Sequence, residues 1–249
     1  MPRILVTNDD GVYSEGLHAL ADALRSVGDV TIVAPLGEAS AIGHALTIAR
    51  PLRLERLRDG VYSVDGTPAD CVNLGVVHVL DGLPDLVVSG INKGYNLGDD
   101  VTYSGTVGGA LEGALLGVPG IAVSLQRTKD PFDFGPAAAA AERIAAQVLR
   151  QGLPPRTLLN INVPRGPLHG VKVTVQGMRN HVTRVTASVD PRGRPYYWIE
   201  EGEDTYADGE RADHVAVHAG YVSVTPLQPD LTAFAVLDHV QGLVEPSDG

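Results

Sequence analysis

The chain has 249 residues, of which 44% are hydrophobic, and a formal net charge of −11 at pH 7. This length and apolar content suit one large α/β domain with a substantial core, while the acidity excludes a general nucleic-acid surface, which needs a basic patch. The single cysteine excludes an internal disulfide framework, and since no apolar run reaches the ~20 residues of a membrane span, we expect a cytoplasmic protein without a membrane partner.

The first motif follows a short apolar run, residues 4 to 6, that we interpret as a buried strand. Asp9 and Asp10 come directly after it, and Gly11 permits a tight turn into an amphipathic helix. Ligands bind at the C-terminal ends of strands in open α/β sheets. Adjacent carboxylates repel each other unless a cation lies between them, so we favour a hard divalent metal over a polar turn capped by these side chains.

The next stretch contains strands, one loop and one helix. The strands are expected at residues 30–34, 46–54 and 60–65, the loop at 36–43, and the helix from Thr67 to about Leu80. The loop carries Ser40, and His44 follows it. Threonine as the cap and proline at the first helical position suit the start of that helix.

A buried strand at residues 86–89 leads into Asn92 and Lys93. Ser104 and Thr106 then open a helix with a face of small residues, for which we expect a close approach to the sheet. A strand at 118–124 and an alanine-rich helix at 136–149 follow. This alternation predicts an α/β fold with a Rossmann-like, doubly wound, mostly parallel sheet.

The pattern changes near residue 128, which we interpret as a subdomain boundary within a single α/β domain of residues 1–249. Residues 1–128 would form the Rossmann-like core, and residues 129–249 a C-terminal part with projecting hairpins and oligomerisation elements. The later elements are expected as strands at 158–163, 171–175, 182–188, 196–199 and 219–227, a loop at 200–213 and a helix at 231–240. The aromatic run at 196–198 would suit an interface between subunits.

Three loops at strand ends therefore carry oxygen-bearing side chains. They contribute Asp9 with Asp10, Ser40, and Asn92, and the glycine-containing turn of residues 104–106 follows the third loop at a helix start. Carboxylate, hydroxyl and amide oxygens suit Mg²⁺, Mn²⁺ or Ca²⁺ rather than a soft metal. A glycine-containing helix N-terminus is a ready anion site. A metal beside an anion site predicts phosphoryl-group chemistry.

Five segments make the sequence resemble the SurE survival-protein family: TNDDG, ASAIGHALT, SGINKGYNLGDDVTYSGTVGGALEG, NINVP and AGYVSVTPL. The resemblance runs nearly from end to end. It implies a metal-dependent 5′/3′-nucleotidase that dephosphorylates nucleoside monophosphates, and some relatives also act on short polyphosphate. It implies one divalent ion per subunit. It also implies a C-terminal part exchanged between the subunits of a homodimer, sometimes within a homotetramer.

The resemblance also implies site residues. The metal ligands would be Asp9, Asp10, Ser40 and Asn92, and the segment around the phosphate would comprise Asn96, Ser104, Gly105 and Thr106. Our own mechanistic hypothesis adds that one of the two aspartates orients or deprotonates the attacking water, which makes both candidate catalytic residues, and that Asn8 hydrogen-bonds the phosphate. Direct attack by water and a covalent aspartyl-phosphate both stay open.

Several residues have two interpretations. His44 would stack on a base or donate a proton, or hold the loop; Glu112 would face the site, or make a buried hydrogen bond. Tyr95 and Tyr103 would contact a nucleobase or pack. The alternative function is a non-catalytic nucleotide-binding module, although the first strand-turn lacks the glycine pattern of a dinucleotide binder.

Overall fold

The structure is a computed structural model that describes residues 1–180, 183–201, 205–207 and 209–244. Its strands are β1 (Arg3–Thr7), β2 (Asp29–Pro35), β3 (Leu54–Arg58), β4 (Val61–Val64), β5 (Leu86–Lys93), β6 (Gly120–Leu125), β7 (Leu158–Val163), β8 (Val171–Val173), β9 (Met178–Asn180), β10 (Thr183–Val189), β11 (Pro195–Glu201), β12 (Thr205–Ala207) and β13 (Val222–Leu227). Its α-helices are α1 (Glu15–Leu24), α2 (Pro68–Leu74), α3 (Gly105–Leu115), α4 (Gly135–Gln151), α5 (Asp213–His218) and α6 (Leu237–Val244).

Nine strands form one sheet in the order β3-β4-β2-β1-β5-β6-β7-β13-β8. The six strands from β4 to β7 in this order are parallel to one another, and antiparallel pairs join β3 to β4 and β13 to β7. The chain builds outward from β1 to β2 and β4, and then crosses to β5, β6 and β7 on the other side. The topological switch therefore lies between β1 and β5, and the predicted mostly parallel α/β sheet is confirmed.

Helices cover both faces of the sheet because the central strands are apolar on both sides. Ile4 and Val6 of β1 belong to the same buried cluster as residues of α1 and α4, whereas Leu5 between them joins Cys71 of α2 on the opposite face. Alternate residues of a strand point to opposite faces, so one short run of three apolar residues serves two layers of core.

The small face of α3 packs directly on the strands. A Cβ added at Gly113 would lie 2.8 Å from the Cβ of Val87, and one added at Gly109 would lie 2.9 Å from the Cγ2 of Thr7. Both contacts are closer than a side chain could accept, which confirms the close approach predicted from the small residues. The packing brings the N-terminal end of α3 to the carboxyl ends of β1 and β5.

The predicted strand at residues 46–54 is wrong except for Leu54, where β3 begins. Pro51 cannot donate a strand hydrogen bond. Around it, the backbone N–H of Thr47 binds the Oδ1 of Asp70, and the N–H of Arg53 binds the Oδ1 of Asp65. Carboxylates from distant positions thus replace the ladder that the sequence pattern suggested.

The strand predicted at residues 86–89 is longer than expected, since β5 continues to Lys93. Gly90 adopts a φ of 139°, and the pairing with β6 is irregular between Gly90 and Asn92. A glycine tolerates this backbone conformation, so the strand bends and goes on instead of ending. Asn92 therefore belongs to the strand itself.

The C-terminal region departs from the prediction in several places. The expected loop at 200–213 contains the end of β11 and the short strand β12, which pairs with β9. The expected strand at 219–227 starts later, at Val222, because α5 and a turn at Gly220 precede it. The expected strand at 171–175 ends at Val173, and that at 182–188 corresponds to β10, although Val182 lies outside the described residues.

Two C-terminal elements have little contact with the rest of the chain. β10 and β11 pair as an antiparallel hairpin separate from the main sheet, and α6, which starts six residues later than the predicted helix at 231–240, has no buried residue. Within the described part of the chain, no helix combines the length and the apolar character needed to cross a membrane.

Candidate active site

A cavity of about 600 Å³ opens at the topological switch, where β1 and β5 end. Most of its walls come from the turn after β1, the loop after β2, the end of β5 and the start of α3, and Arg127 and Ile199 of β11 complete them. The lining residues are Asp9, Asp10, Glu38, Ser40, Ala41, Asn92, Lys93, Tyr95, Asn96, Asp100, Tyr103, Ser104, Arg127 and Ile199. Six of the predicted site residues therefore meet in one cavity, although they come from four separate segments.

Asp9 and Asp10 are the acidic centre of this cavity. Burial raises the pKa of Asp9 to about 6; a hydrogen bond from the Thr106 hydroxyl lowers it, and the charge of Asp10 raises it. Burial is also the main cause that raises the pKa of Asp10. The Oδ2 atom of Asp10 is buried without a hydrogen-bond partner among the described residues. Hydrogen bonds and nearby positive charges thus offset the burial of the two carboxylates only in part.

Ser40 lies on an exposed loop that is anchored at both ends. On one side, the backbone N–H of Ala39 donates to the carbonyl oxygen of Asp9 at 2.8 Å; on the other, the N–H of Gly43 donates to the carbonyl oxygen of Tyr103 at 2.9 Å. The hydroxyl of Ser40 donates to Glu38 at 2.7 Å. The two backbone bonds join the Ser40 loop to the Asp9 turn and to Tyr103, which precedes the N-cap residue of α3.

Asn92 and Asn96 are held differently. The side-chain amide of Asn92 donates to the carbonyl oxygen of Gly94 at 3.1 Å, which leaves its Oδ1 for another contact. The amide of Asn96 donates to the hydroxyl of Ser124 at 2.7 Å. Both amides are therefore fixed in orientation by the protein itself.

The backbone of Asn96 is held by two asparagines of β7. The Oδ1 of Asn162 accepts from the N–H of Asn96 at 2.8 Å, and the side-chain amides of Asn160 and Asn162 both donate to its carbonyl oxygen. All three residues are buried. No role was predicted for these two asparagines of the NINVP segment; the available signal was the alternation of polar and apolar residues in a buried strand.

The turn at residues 104–106 starts α3. The Ser104 hydroxyl accepts from the N–H of Val107 at 3.1 Å, which makes it the N-cap. Thr106 is fully buried and donates to the Oδ1 of Asp9 at 2.5 Å. A Cβ added at Gly105 would lie 2.9 Å from the Cβ of Asp9. Ser104 faces the cavity, whereas Gly105 and Thr106 support Asp9 from behind.

Asn8 does not line the cavity. Its amide donates to the carbonyl oxygen of Gly11 at 3.1 Å, which holds the turn after β1, and its Oδ1 is buried without a partner among the described residues. In the structure, Asn8 therefore supports the Asp9–Asp10 turn.

Two cationic side chains that were not among the predicted site residues, Lys93 and Arg127, line the cavity. The Nε of Arg127 donates to the carbonyl oxygen of Lys93 at 2.9 Å, and both positive charges lower the pKa of Asp10. They supply local positive potential in a chain with a net charge of −11. Arg127 lies two residues after the end of β6, so its place near a strand end was the available signal.

The donor set fits a hard divalent cation. The candidate ligands among the lining residues are the two carboxylates of Asp9 and Asp10, the hydroxyl of Ser40 and the amide of Asn92. A buried carboxylate oxygen of Asp10 lacks a partner among the described residues. No group of three or more His, Cys, Asp or Glu side chains suited to a metal occurs in the described part of the chain. A cation here would therefore depend on Ser and Asn oxygens as well as on the aspartates, which is compatible with Mg²⁺, Mn²⁺ or Ca²⁺.

A model of the family described as survival protein SurE matches residues 4–183 of the chain. The chain belongs to the SurE family. Proteins called 5′-nucleotidase SurE from Pelobacter propionicus and Geobacter metallireducens are 54% and 52% identical to it. These two alignments each cover 94% of this chain, and they cover 96% and 94% of the respective relatives.

Solved structures agree with this family assignment. The crystal structure of the SurE protein from Aquifex aeolicus superposes with a TM-score of 0.87 at 45% identity, and covers 98% of this chain and 100% of that one. The resemblance inferred from five short segments is therefore confirmed over almost the whole length. The SurE fold of this chain includes both the parallel core and the C-terminal strands.

Proposed function

We propose that this SurE protein is a metal-dependent phosphomonoesterase that hydrolyses nucleoside monophosphates. The observation that carries the proposal is the cavity at the sheet switch, which combines Asp9 and Asp10 with a helix N-terminus and two cations. The 5′-nucleotidase names of relatives that are 54% and 52% identical support the same activity. Activity on short polyphosphate and a cytoplasmic location belong to the proposal as well.

In this proposal, one divalent ion is held by Asp9, Asp10, Ser40 and Asn92, whose oxygens all belong to residues lining the cavity. When bound, such an ion polarises a phosphoryl oxygen and lowers the pKa of a water molecule. Mg²⁺ and Mn²⁺ both accept this set of ligands. The Oδ2 of Asp10 has no hydrogen-bond partner among the described residues, so an ion bound there would compensate its burial.

The protein residues then position the phosphate and the proton. The Ser104 hydroxyl accepts a bond from Val107, so its own proton is available to a phosphate oxygen at the start of α3. Asn96 contributes to the same wall, while Lys93 and Arg127 attract the anion. Asp9 or Asp10 orients the attacking water and accepts its proton.

Metal removal provides the direct test of this function. After treatment with a chelator, the protein should release no phosphate from nucleoside monophosphates, and Mg²⁺ or Mn²⁺ should restore the release, because the buried carboxylates need a cation to bind an anion beside them. The assay measures inorganic phosphate over a panel of 5′- and 3′-monophosphates, and the ranking identifies the preferred base and position.

Two results would contradict the proposal in different ways. Undiminished phosphate release without any added ion would remove the metal from the mechanism. Nucleotide binding without phosphate release under any ion would instead make the protein a non-catalytic nucleotide-binding module.

We also propose a homodimer or homotetramer in which C-terminal elements contact another copy of the chain. The hairpin of β10 and β11 exposes apolar side chains that include Trp198, and α6 exposes Leu237, Val240 and Leu243. An unpaired amphipathic helix and an aromatic strand are typical of subunit interfaces.

Light scattering should then give a mass of two or four times 26.1 kDa. Leu243→Glu should lower that mass, because a charge on the apolar face of α6 opposes its burial. A wild-type protein that is monomeric at all concentrations would contradict this assembly.

A further inference from the structure

A buried carboxylate on α3 has no role in the mechanism above. Glu112 lies two turns beyond the N-terminus of α3, and its side chain is only 7% exposed. One carboxylate oxygen accepts from the Nε2 of His44 at 2.5 Å, and the other accepts from the amide of Asn73 at 2.8 Å. Burial by itself raises the pKa of this carboxyl, but the bonds from His44 and Asn73 outweigh it and hold the pKa below its usual range.

His44 connects this carboxylate to the Ser40 loop. It follows Ser40 by four residues, and a Cβ added at Gly108 of α3 would lie 2.7 Å from the carbonyl oxygen of Gly43 and 3.2 Å from the Cα of His44. The loop therefore lies directly on the helix backbone at this point. On the C-terminal side of Ser40, the His44–Glu112 pair is the nearest side-chain hydrogen bond among the described residues.

Burial does not hold the loop, so its position depends on the backbone bonds of Ala39 and Gly43 and on the His44–Glu112 pair. Ser40, Ala41 and Ile42 are all exposed, and Ala41 adopts a φ of 54°, in the left-handed region that is unfavourable for a residue with a Cβ. This conformation is strained and persists only when surrounding contacts impose it. Fixed points on both sides of Ala41 supply that constraint.

We propose that Glu112, held by Asn73, positions the Ser40 loop over the cavity through His44 and thereby sets the affinity for the divalent ion. This inference rests on the proposed function. Glu112 is a positioning residue and not a catalytic one, since it touches neither the cavity nor the aspartates. Residues that orient a metal ligand indirectly change metal affinity by about 10–100-fold when they are removed.

The test compares Mn²⁺ binding by calorimetry in chelator-treated full-length protein. We expect Glu112→Ala and His44→Ala each to raise the dissociation constant about tenfold or more, with no further increase in the double variant because both remove the same anchor. Glu112→Gln should bind Mn²⁺ nearly as well as wild type, because its carbonyl keeps the bond from Asn73 and its amide can donate to unprotonated Nε2 of His44. Phosphate release at saturating Mn²⁺ should change much less than the Mn²⁺ requirement.

Glu142→Ala is the matched control. Glu142 also accepts a side-chain hydrogen bond, from the hydroxyl of Ser26 at 2.5 Å, but it lies on α4 at the other face of the sheet. It should leave Mn²⁺ binding unchanged. Thermal unfolding of every variant separates loss of fold from loss of affinity.

Three results would overturn the inference. If both Glu112→Ala and His44→Ala bind Mn²⁺ with wild-type affinity, the pair contributes only to packing, even if both variants unfold at lower temperatures. A Glu112→Gln variant as weak as Glu112→Ala would assign the effect to charge and not to position. A wild-type protein that binds no Mn²⁺ at all would instead remove the metal from the proposed function, and this inference with it.

Discussion

Asp10→Asn should reduce phosphate release by at least about 100-fold at saturating metal, which is the usual cost of losing a charged group at a phosphoryl-transfer centre. The substitution keeps the volume of the side chain and removes only its charge. Because burial is the main cause that raises the pKa of Asp10, the same change should make the metal-free protein more stable toward heat. The measurements are steady-state phosphate release and thermal unfolding with and without Mn²⁺.

The two readouts together identify the role of the carboxylate. Mn²⁺ should raise the unfolding temperature of the wild type, since a ligand that binds only the folded state stabilises it, and should have little effect on Asp10→Asn. Asp22→Asn provides the control, because Asp22 is an exposed carboxylate on α1 paired with Arg25. An Asp10→Asn enzyme with near wild-type phosphate release would refute the assignment of Asp10 to the active site.

Asn162→Ala should have the second large effect, on stability and activity together. The substitution deletes two hydrogen bonds to the backbone of Asn96 and leaves its buried N–H without a partner. One unpaired buried polar group costs about 1–3 kcal/mol, so we expect a loss of about 3 kcal/mol in the free energy of unfolding once the cavity is included. Phosphate release should also fall at least about tenfold, because Asn96 loses its place in the cavity wall.

Thr174→Val is the control that separates these two effects. The Thr174 hydroxyl is buried and shares hydrogen bonds with Ser223 and Thr225, and none of these three lines the cavity. This variant should lose stability and keep its phosphate release at temperatures where it is folded. If Asn162→Ala behaves in the same way, the asparagine network supports the fold and does not position Asn96 for chemistry.

Local sequence patterns correctly predicted the structural features that are determined by residues close together in the chain. The apolar run before Asp9, the strand and helix alternation, and the small face of α3 each reflect a period or a packing need that a short segment expresses. They predicted the parallel sheet and placed the aspartates at a strand end. The family resemblance has the same origin, because its five motifs are short and contiguous.

Hydrogen bonds between distant segments could not be predicted from local sequence patterns. Asn160 and Asn162 bind the backbone of Asn96 across more than 60 residues, and Glu112 binds His44 across 68. The strand expected at 46–54 was wrong because carboxylates at Asp65 and Asp70 bind its backbone. A sequence pattern does not contain these partners, since a buried polar group is satisfied by whatever the fold brings beside it.

The sequence by itself therefore determined the fold class, the family and the acidic turn after β1, since each is expressed by consecutive residues. Only the tertiary structure decided which polar side chains share the cavity and which ones hold them in place. Asp9 faces the cavity and Thr106 supports it from behind, although both belong to conspicuous motifs. Which of these residues faces the cavity depends on which side of α3 packs on the sheet. The contact between the helix and the sheet determines that side.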